Sequence, residues 1–133
     1  MISQALKSII TDDEDVMALI GSEDQVFAER GSGEAYVVII DNGKNRVVDT
    51  IKEVKRSEIQ ILISGYPVLE GEAIGIQSTT LIEGAVGETV TSGDYSYKIV
   101  EILIKNDPVL IEWENVFSFS VNMSVFYRES ETE

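Results

Sequence analysis

The chain has 133 residues, is 44% hydrophobic, and carries 24 carboxylates against 10 basic side chains, a net charge of −14. It contains neither cysteine nor histidine, which excludes disulfide frameworks, thiol chemistry, the usual zinc sites, and Ser-His-Asp or Cys-His catalysis. A surface this acidic does not grip nucleic acid by neutralising phosphates, and a length near 130 residues suits one domain with one core.

The first elements are two helices. Ile2, Ala5, Leu6, Ile9 and Ile10 fall at i, i+3, i+4, i+7 and i+8, one apolar stripe on a helix. Thr11 and Glu14 have capping-box spacing, and Asp12, Asp13, Glu14 and Asp15 crowd the electropositive start of a second, short helix. Val16, Met17, Leu19 and Ile20 fill it, and Gly21 is suited to the left-handed residue that ends it.

A strand-rich body follows. Gln25–Glu29 reads as a short edge strand, and Tyr36–Ile40 is an unbroken apolar run suited to a strand buried on both faces. Asn42-Gly43 predicts a type I′ hairpin turn, with the return strand over about Asn45–Ile51. Ile59, Ile61 and Ile63 alternate on one face of a strand that runs towards Gly65. Pro67 suits the first turn of a long helix over 68–83, on which Leu69, Ala73, Ile76 and Thr80 trace a stripe. Gly71 and Gly75 weaken that helix by about 1 kcal/mol each or let it approach the sheet closely. Residues 84–94 read as a loop or loose hairpin, Tyr95–Ile104 as a strand broken by Asn106-Asp107-Pro108, and Val109–Trp113 as its resumption. From Phe117 to Tyr127 apolar and polar residues alternate over eleven positions, which implies an antiparallel sheet with one buried and one polar face.

Together these predict an α+β two-layer domain over 1–128, with a mostly antiparallel sheet of four to five strands. The N-terminal helices and one long central helix cover one face. Residues 129–133 read as a frayed acidic tail. No run approaches the ~20 apolar residues of a membrane span, and the N-terminus lacks the order of a signal peptide, so the expected compartment is the cytoplasm of the producing cell.

Charge is distributed unevenly. Residues 44–56 hold five of the ten cations, Lys44, Arg46, Lys52, Lys55 and Arg56, against Asp49 and Glu53, a net of +3 that leaves −17 on the rest. A positive arm on a negative body suits head-to-tail contact between copies, which closes into rings or grows into filaments; an exposed hairpin with mixed charge has the same composition. The turn-rich segments Asp41–Arg46 and Gly84–Asp94 are the expected contact loops. The candidate interface residues are therefore Asp41, Asn42, Gly43, Lys44, Arg46, Lys52, Lys55 and Arg56, with Gly87, Glu88, Ser92, Gly93 and Asp94. No catalytic, cofactor-binding or metal-ligating residue is expected. Asp12–Asp15 lack calcium-loop spacing and read as helix-capping acids. Glu70 and Glu72 are not brought to Glu112 or Glu114 by anything in the sequence, as a carboxylate-pair mechanism would need. Ser57 beside Lys55 and Arg56 is no dyad by spacing, Gly31-x-Gly33 lacks the rest of a dinucleotide loop, and Trp113 reads as a core or interface anchor.

The order of elements resembles the tail terminator (tail completion) proteins of long-tailed bacteriophages. The resemblance rests on the N-terminal helix, the acid-x-Val-x-Ala-Leu-Ile-Gly element within Asp13–Gly21, and the strands Gln25-Val26-Phe27, Tyr36-Val37-Val38 and Ile59-Gln60-Ile61. The final strand closes near Phe126-Tyr127-Arg128. Gly33-Glu34-Ala35 stands where many members have a proline beside the second strand, and the basic arm has no counterpart. The resemblance implies a non-enzymatic virion protein without cofactors, a six-membered homo-oligomeric ring at the head-proximal end of the tail. Its partners would be the tail tube and head connector proteins, with DNA passing through the ring without sequence-specific binding and with no membrane contact. Assembly would take place in the host cytoplasm. The alternatives are a head-completion or adaptor protein of the same connector, and a small binding or regulatory module.

Overall fold

In the computed structural model of the chain, residues 1–43, 46–49, 53–113 and 116–131 are described. Helix α1 spans Ile2–Thr11 and buries Ile2, Ala5, Leu6 and Ile10, the stripe expected from its spacing. Helix α2 spans Glu14–Ile20 and ends at Gly21, whose φ of +113° is open to glycine. Its cap differs from the expected capping box. Asp13 takes the cap position and its carboxylate accepts from the Val16 N–H at 2.9 Å. Thr11 closes α1 instead, donating from its hydroxyl to the Ser8 carbonyl. Asp12 is still the C-cap of α1, so only Asp13 is free to adopt the extended backbone that a cap requires.

The sheet is built on two long strands, β4 (Val54–Ser64) and β8 (Val116–Glu131), which pair antiparallel from Lys55↔Tyr127 to Ser64↔Ser118. Each carries an interrupted strand along its outer edge. β2 (Tyr36–Asp41) and β3 (Arg46–Asp49) both pair with β4, and β6 (Tyr95–Ile104) and β7 (Val109–Trp113) both pair with β8. The three-residue β1 (Val26–Ala28) adds parallel to β2, and β5 (Thr89–Ser92) adds to β6. This is the expected two-layer α+β architecture, divided into eight strand segments because both flanking strands are broken.

The Asn42-Gly43 hairpin is not formed. β2 and β3 do not pair with each other; the chain passes 42–43 and continues down the same edge of β4. Two contacts explain the difference. The Asn42 N–H donates to the Glu58 carbonyl at 2.8 Å, which keeps it in line with the ladder. A Cβ on Gly43 would sit 3.1 Å from the Glu58 nitrogen, so the backbones lie nearly in contact. Lys44, Asn45 and 50–52, at the two ends of the expected return strand, lie outside the described residues.

Helix α3 (Val68–Gly84) packs on the sheet beside α1 and α2. The expected Leu69–Ala73–Ile76–Thr80 stripe faces outward: Leu69 is 82% exposed and Ile76 49%. The buried positions are Gly71, Ile74, Gly75, Ser78 and Ile82. Small residues form this inner face because the helix lies close to the sheet. A Cβ on Gly71 would meet Phe119 at 3.0 Å, and one on Gly75 would meet Pro108 at 3.1 Å. The core joins α1, Val16 and Ile20 to Val37, Ile39, the Ile59–Ile61–Ile63 column and the β8 column Phe119–Val121–Met123–Val125–Tyr127. At its far end β8 pairs Glu129, Ser130 and Glu131 with Tyr97, Ser96 and Tyr95, so the segment read as a frayed tail is strand as far as Glu131.

Candidate interaction surface

The helices cover one face of the sheet. The other face carries a chain of polar side chains along β4 and β8. Arg56 Nε reaches Glu58 Oε1 at 2.7 Å, its guanidinium lies 5.5 Å from the centre of the Phe126 ring, and Lys105 Nζ meets Glu58 Oε2 at 2.5 Å. Ser124 donates to both Glu58 oxygens. Gln60 links Asn42 to Ser120, and Asn106 bonds both Ser120 and Asn122. Lys105 is the main reason that the Glu58 carboxyl is held below the usual carboxylate range; Ser124 and Arg56 add to it against partial burial.

A second polar group lies on the helix side, near the start of β4. Ser57 and Tyr127 share a buried hydrogen bond at 3.1 Å, and Tyr127 packs edge-on to Tyr97 with ring centres 5.7 Å apart. Lys55 Nζ meets Glu129 at 2.6 Å. Burial is the largest cause that pushes both phenols up to about 12, helped by the Glu129 charge. Burial also raises the Asp41 carboxyl, although the Gly43 N–H donates to it. Ser57 is therefore placed among a phenol and a carboxylate inside the fold. Glu70 and Glu72 lie on α3 and Glu112 on β7, and Glu114 lies outside the described residues. Among the described residues no group of three or more carboxylates is placed to hold a metal ion, and no helix is long and apolar enough to cross a membrane.

The candidate contact residues divide between the two edges of one end of the sheet. Asp41, Asn42 and Gly43 lie flat along β4, and β3 begins at Arg46, paired with Arg56. Lys55 and Arg56 are already engaged by Glu129 and Glu58. Lys44 and Lys52 lie outside the described residues. On the opposite edge, the Gly87 N–H donates to the Ile99 carbonyl and the Ile99 N–H to the Glu88 carbonyl, so these two positions extend the sheet. Ser92 closes β5, paired with Tyr95 across the Gly93-Asp94 turn. Of the two readings of 84–94, a loop or a loose hairpin, the structure has the hairpin, with β5 as its first strand.

The surface that sequence reading missed lies at the other end of the sheet. Val109, Leu110, Ile111, Val116 and Phe117, from β7 and the start of β8, are all 36–50% exposed. By register Leu110 opposite Phe119 and Phe117 opposite Glu112 lie on the helix side, while Val109 opposite Ser120 and Ile111 opposite Ser118 lie on the polar side. The two strands therefore carry exposed apolar groups on both faces. No apolar/polar alternation within Val109–Trp113 marks one side as solvent-facing, which is the signal available in the sequence.

No family model and no curated protein matches the chain. Among solved structures its fold is similar to a chain from the virion of a native gene transfer agent (GTA) particle, with a TM-score of 0.63. The match covers 98% of this chain and 95% of that one at 14% identity. At that identity the likeness is one of fold.

Proposed function

We propose that the chain is a structural virion protein, and more narrowly a tail terminator whose copies close into a ring. The ring would cap the tail tube at its head-proximal end and present the docking surface for the head connector. The observation that carries the reading is the end-to-end fold likeness to a virion chain, which spans both the N-terminal helical block and the final strand. The residues that carry the family resemblance take part in that fold: Val16 and Ile20 enter the core, Val26 pairs with Val37, and Ile59 and Ile61 pair with Met123 and Val121. The role needs no catalysis, and the buried Ser57 and Tyr127, with the half-buried Asp41, serve as a structural network.

The charge sets the conditions of assembly. Six copies at −14 each would carry −84, and screening acts over ~8–10 Å at 0.1–0.15 M salt. Ring closure should therefore depend on salt or divalent cations. The deciding experiment is light scattering after size exclusion, across a salt series with and without Mg²⁺, followed by addition of tail tubes. A discrete ring-sized species, or ring-capped tubes, is expected. A chain that is monomeric under every condition and leaves the tubes uncapped would overturn the reading.

A further inference from the structure

We infer that copies of this chain join by strand addition, the free edge of β7 in one copy pairing with the free edge of β3 in the next. The inference deepens the ring reading, on which it rests, by naming the contact that builds it. Among the described strands β3 pairs only with β4, and β7 only with β8. Both therefore present a row of backbone donors and acceptors to whatever lies beside them. Natural edge strands are commonly guarded by lysine, proline or a covering loop. Pro108 stands just before β7, but Val109–Trp113 contains neither lysine nor proline, and Val109, Leu110 and Ile111 are half exposed, on both faces. An edge of that kind is a template for another strand.

Three observations select a second copy as the occupant and β3 as its edge. The first is direction. β3 runs antiparallel to β4, β4 to β8 and β8 to β7, so direction alternates from one edge to the other. With an even number of alternating strands, β7 of a copy set beside β3 in the same orientation runs antiparallel to it, so one sheet continues across the boundary. The second is position. β3 lies level with the start of β4, and β7 level with its end, where Ser64 faces Ser118. The two edges are on opposite sides and at opposite ends, so one contact leaves both unused edges of the pair available. Such a heterologous contact propagates until it closes. The third is charge. Val109–Trp113 carries Glu112 and no cation, whereas Arg46–Asp49 carries one cation, Arg46, and one acid, Asp49. Pairing β7 with β7 of a two-fold partner would place acid beside acid, which opposes strand pairing, whereas β3 adds no net negative charge.

The absence of native cysteine makes the contact directly testable in the full chain. Single cysteines are placed at Leu110 or Ile111 in one preparation and at Val47 or Val48 in another, and the two are mixed under mild oxidation. The expected result is disulfide dimers between a β7 position and a β3 position, and a ladder of multimers when one chain carries both. In parallel, Glu112→Lys should weaken self-association by about tenfold at low salt and by much less at high salt, with its circular dichroism unchanged. Cross-links that form only between identical positions would overturn the inference in favour of a two-fold dimer. A discrete ring without β7–β3 cross-links would overturn this contact and leave the ring reading standing. An open ladder that never closes would retain the contact and overturn the ring. No cross-link and no self-association at any concentration would overturn both.

Discussion

Two glycines of α3 separate what a residue does in a helix from what it does in a packed layer. In an isolated helix glycine is about 1 kcal/mol worse than alanine. Gly84, in the last turn, has no positive φ, and a methyl group added there would have nothing within 4 Å of it. Gly84→Ala should therefore stabilise the protein by about 0.5–1 kcal/mol. Gly75 would place the same methyl 3.1 Å from Pro108 and 3.5 Å from Ile63. The helix gain is there opposed by overpacking, typically about 1–3 kcal/mol, and Gly75→Ala should destabilise by about 1 kcal/mol net. Urea midpoints of the two variants against the parent check both signs; a stabilising Gly75→Ala would show that α3 can retreat from the sheet. This close approach also explains why the periodicity of α3 misleads. Its inner face is made by Gly71, Gly75 and Ser78 with only Ile74 and Ile82 as large groups, while Leu69 and Ile76 face out. A search for the apolar stripe finds the wrong side when the packing face is built from small residues.

At the scale of elements, the ends of helices and strands separate local from non-local signals. The α2 cap is local and nearly legible: the acids stand at the right place, and only the identity of the capping residue shifts from Thr11 to Asp13. Asp13→Ala should cost about 1 kcal/mol, whereas Thr11→Ala, which loses only a 3.3 Å bond back to Ser8, should cost a few tenths at most. Chemical denaturation of both variants distinguishes the two caps. The long alternation of β8 is likewise legible, because its buried face presents five large side chains in a row from Phe119 to Tyr127. The course of β2 into β3 is not. Asn-Gly is a strong turn signal only when the two flanking strands are each other's best partner. Here β4 is long enough to take both along one edge, and a tertiary pairing between residues far apart in sequence overrides the turn. The candidate contact residues suffer from the same limit. Charge and turn chemistry mark 41–56 and 87–94, but Leu110 and Phe117 are exposed on the helix side of the sheet and Val109, Ile111 and Val116 on the face that no helix covers, a division set by strand register that no local pattern records.

For the whole molecule, the paired tyrosines tie global stability to pH. Tyr97 and Tyr127 are 1% and 0% exposed, and both phenols are pushed up to about 12, from an ordinary value of 10.0. Their neutral forms are therefore favoured by the folded state. Below pH 10 folded and unfolded chains hold these protons alike and the full stability is present. Between pH 10 and 12 the unfolded chain releases protons that the folded chain retains, and stability falls with rising pH. Each buried phenol contributes on the order of 2 kcal/mol to that loss, so the fold should weaken steeply between pH 10 and 12. Tyr127→Phe tests the assignment because it removes one titrating group while keeping the ring that packs against Tyr97. The variant should be less stable than the parent by about 1 kcal/mol at pH 8, having lost its bond to Ser57. It should also show about half the alkaline slope, so that the two stability curves converge or cross above about pH 10.5. Parallel curves would place the alkaline transition on other groups. The same tyrosines sit at the start of β4, where Lys55 meets Glu129 and β3 begins. Loosening this end by alkali should therefore also disturb the β3 edge, and if copies join through the proposed β7–β3 contact, that association should be lost at a pH below that of global unfolding.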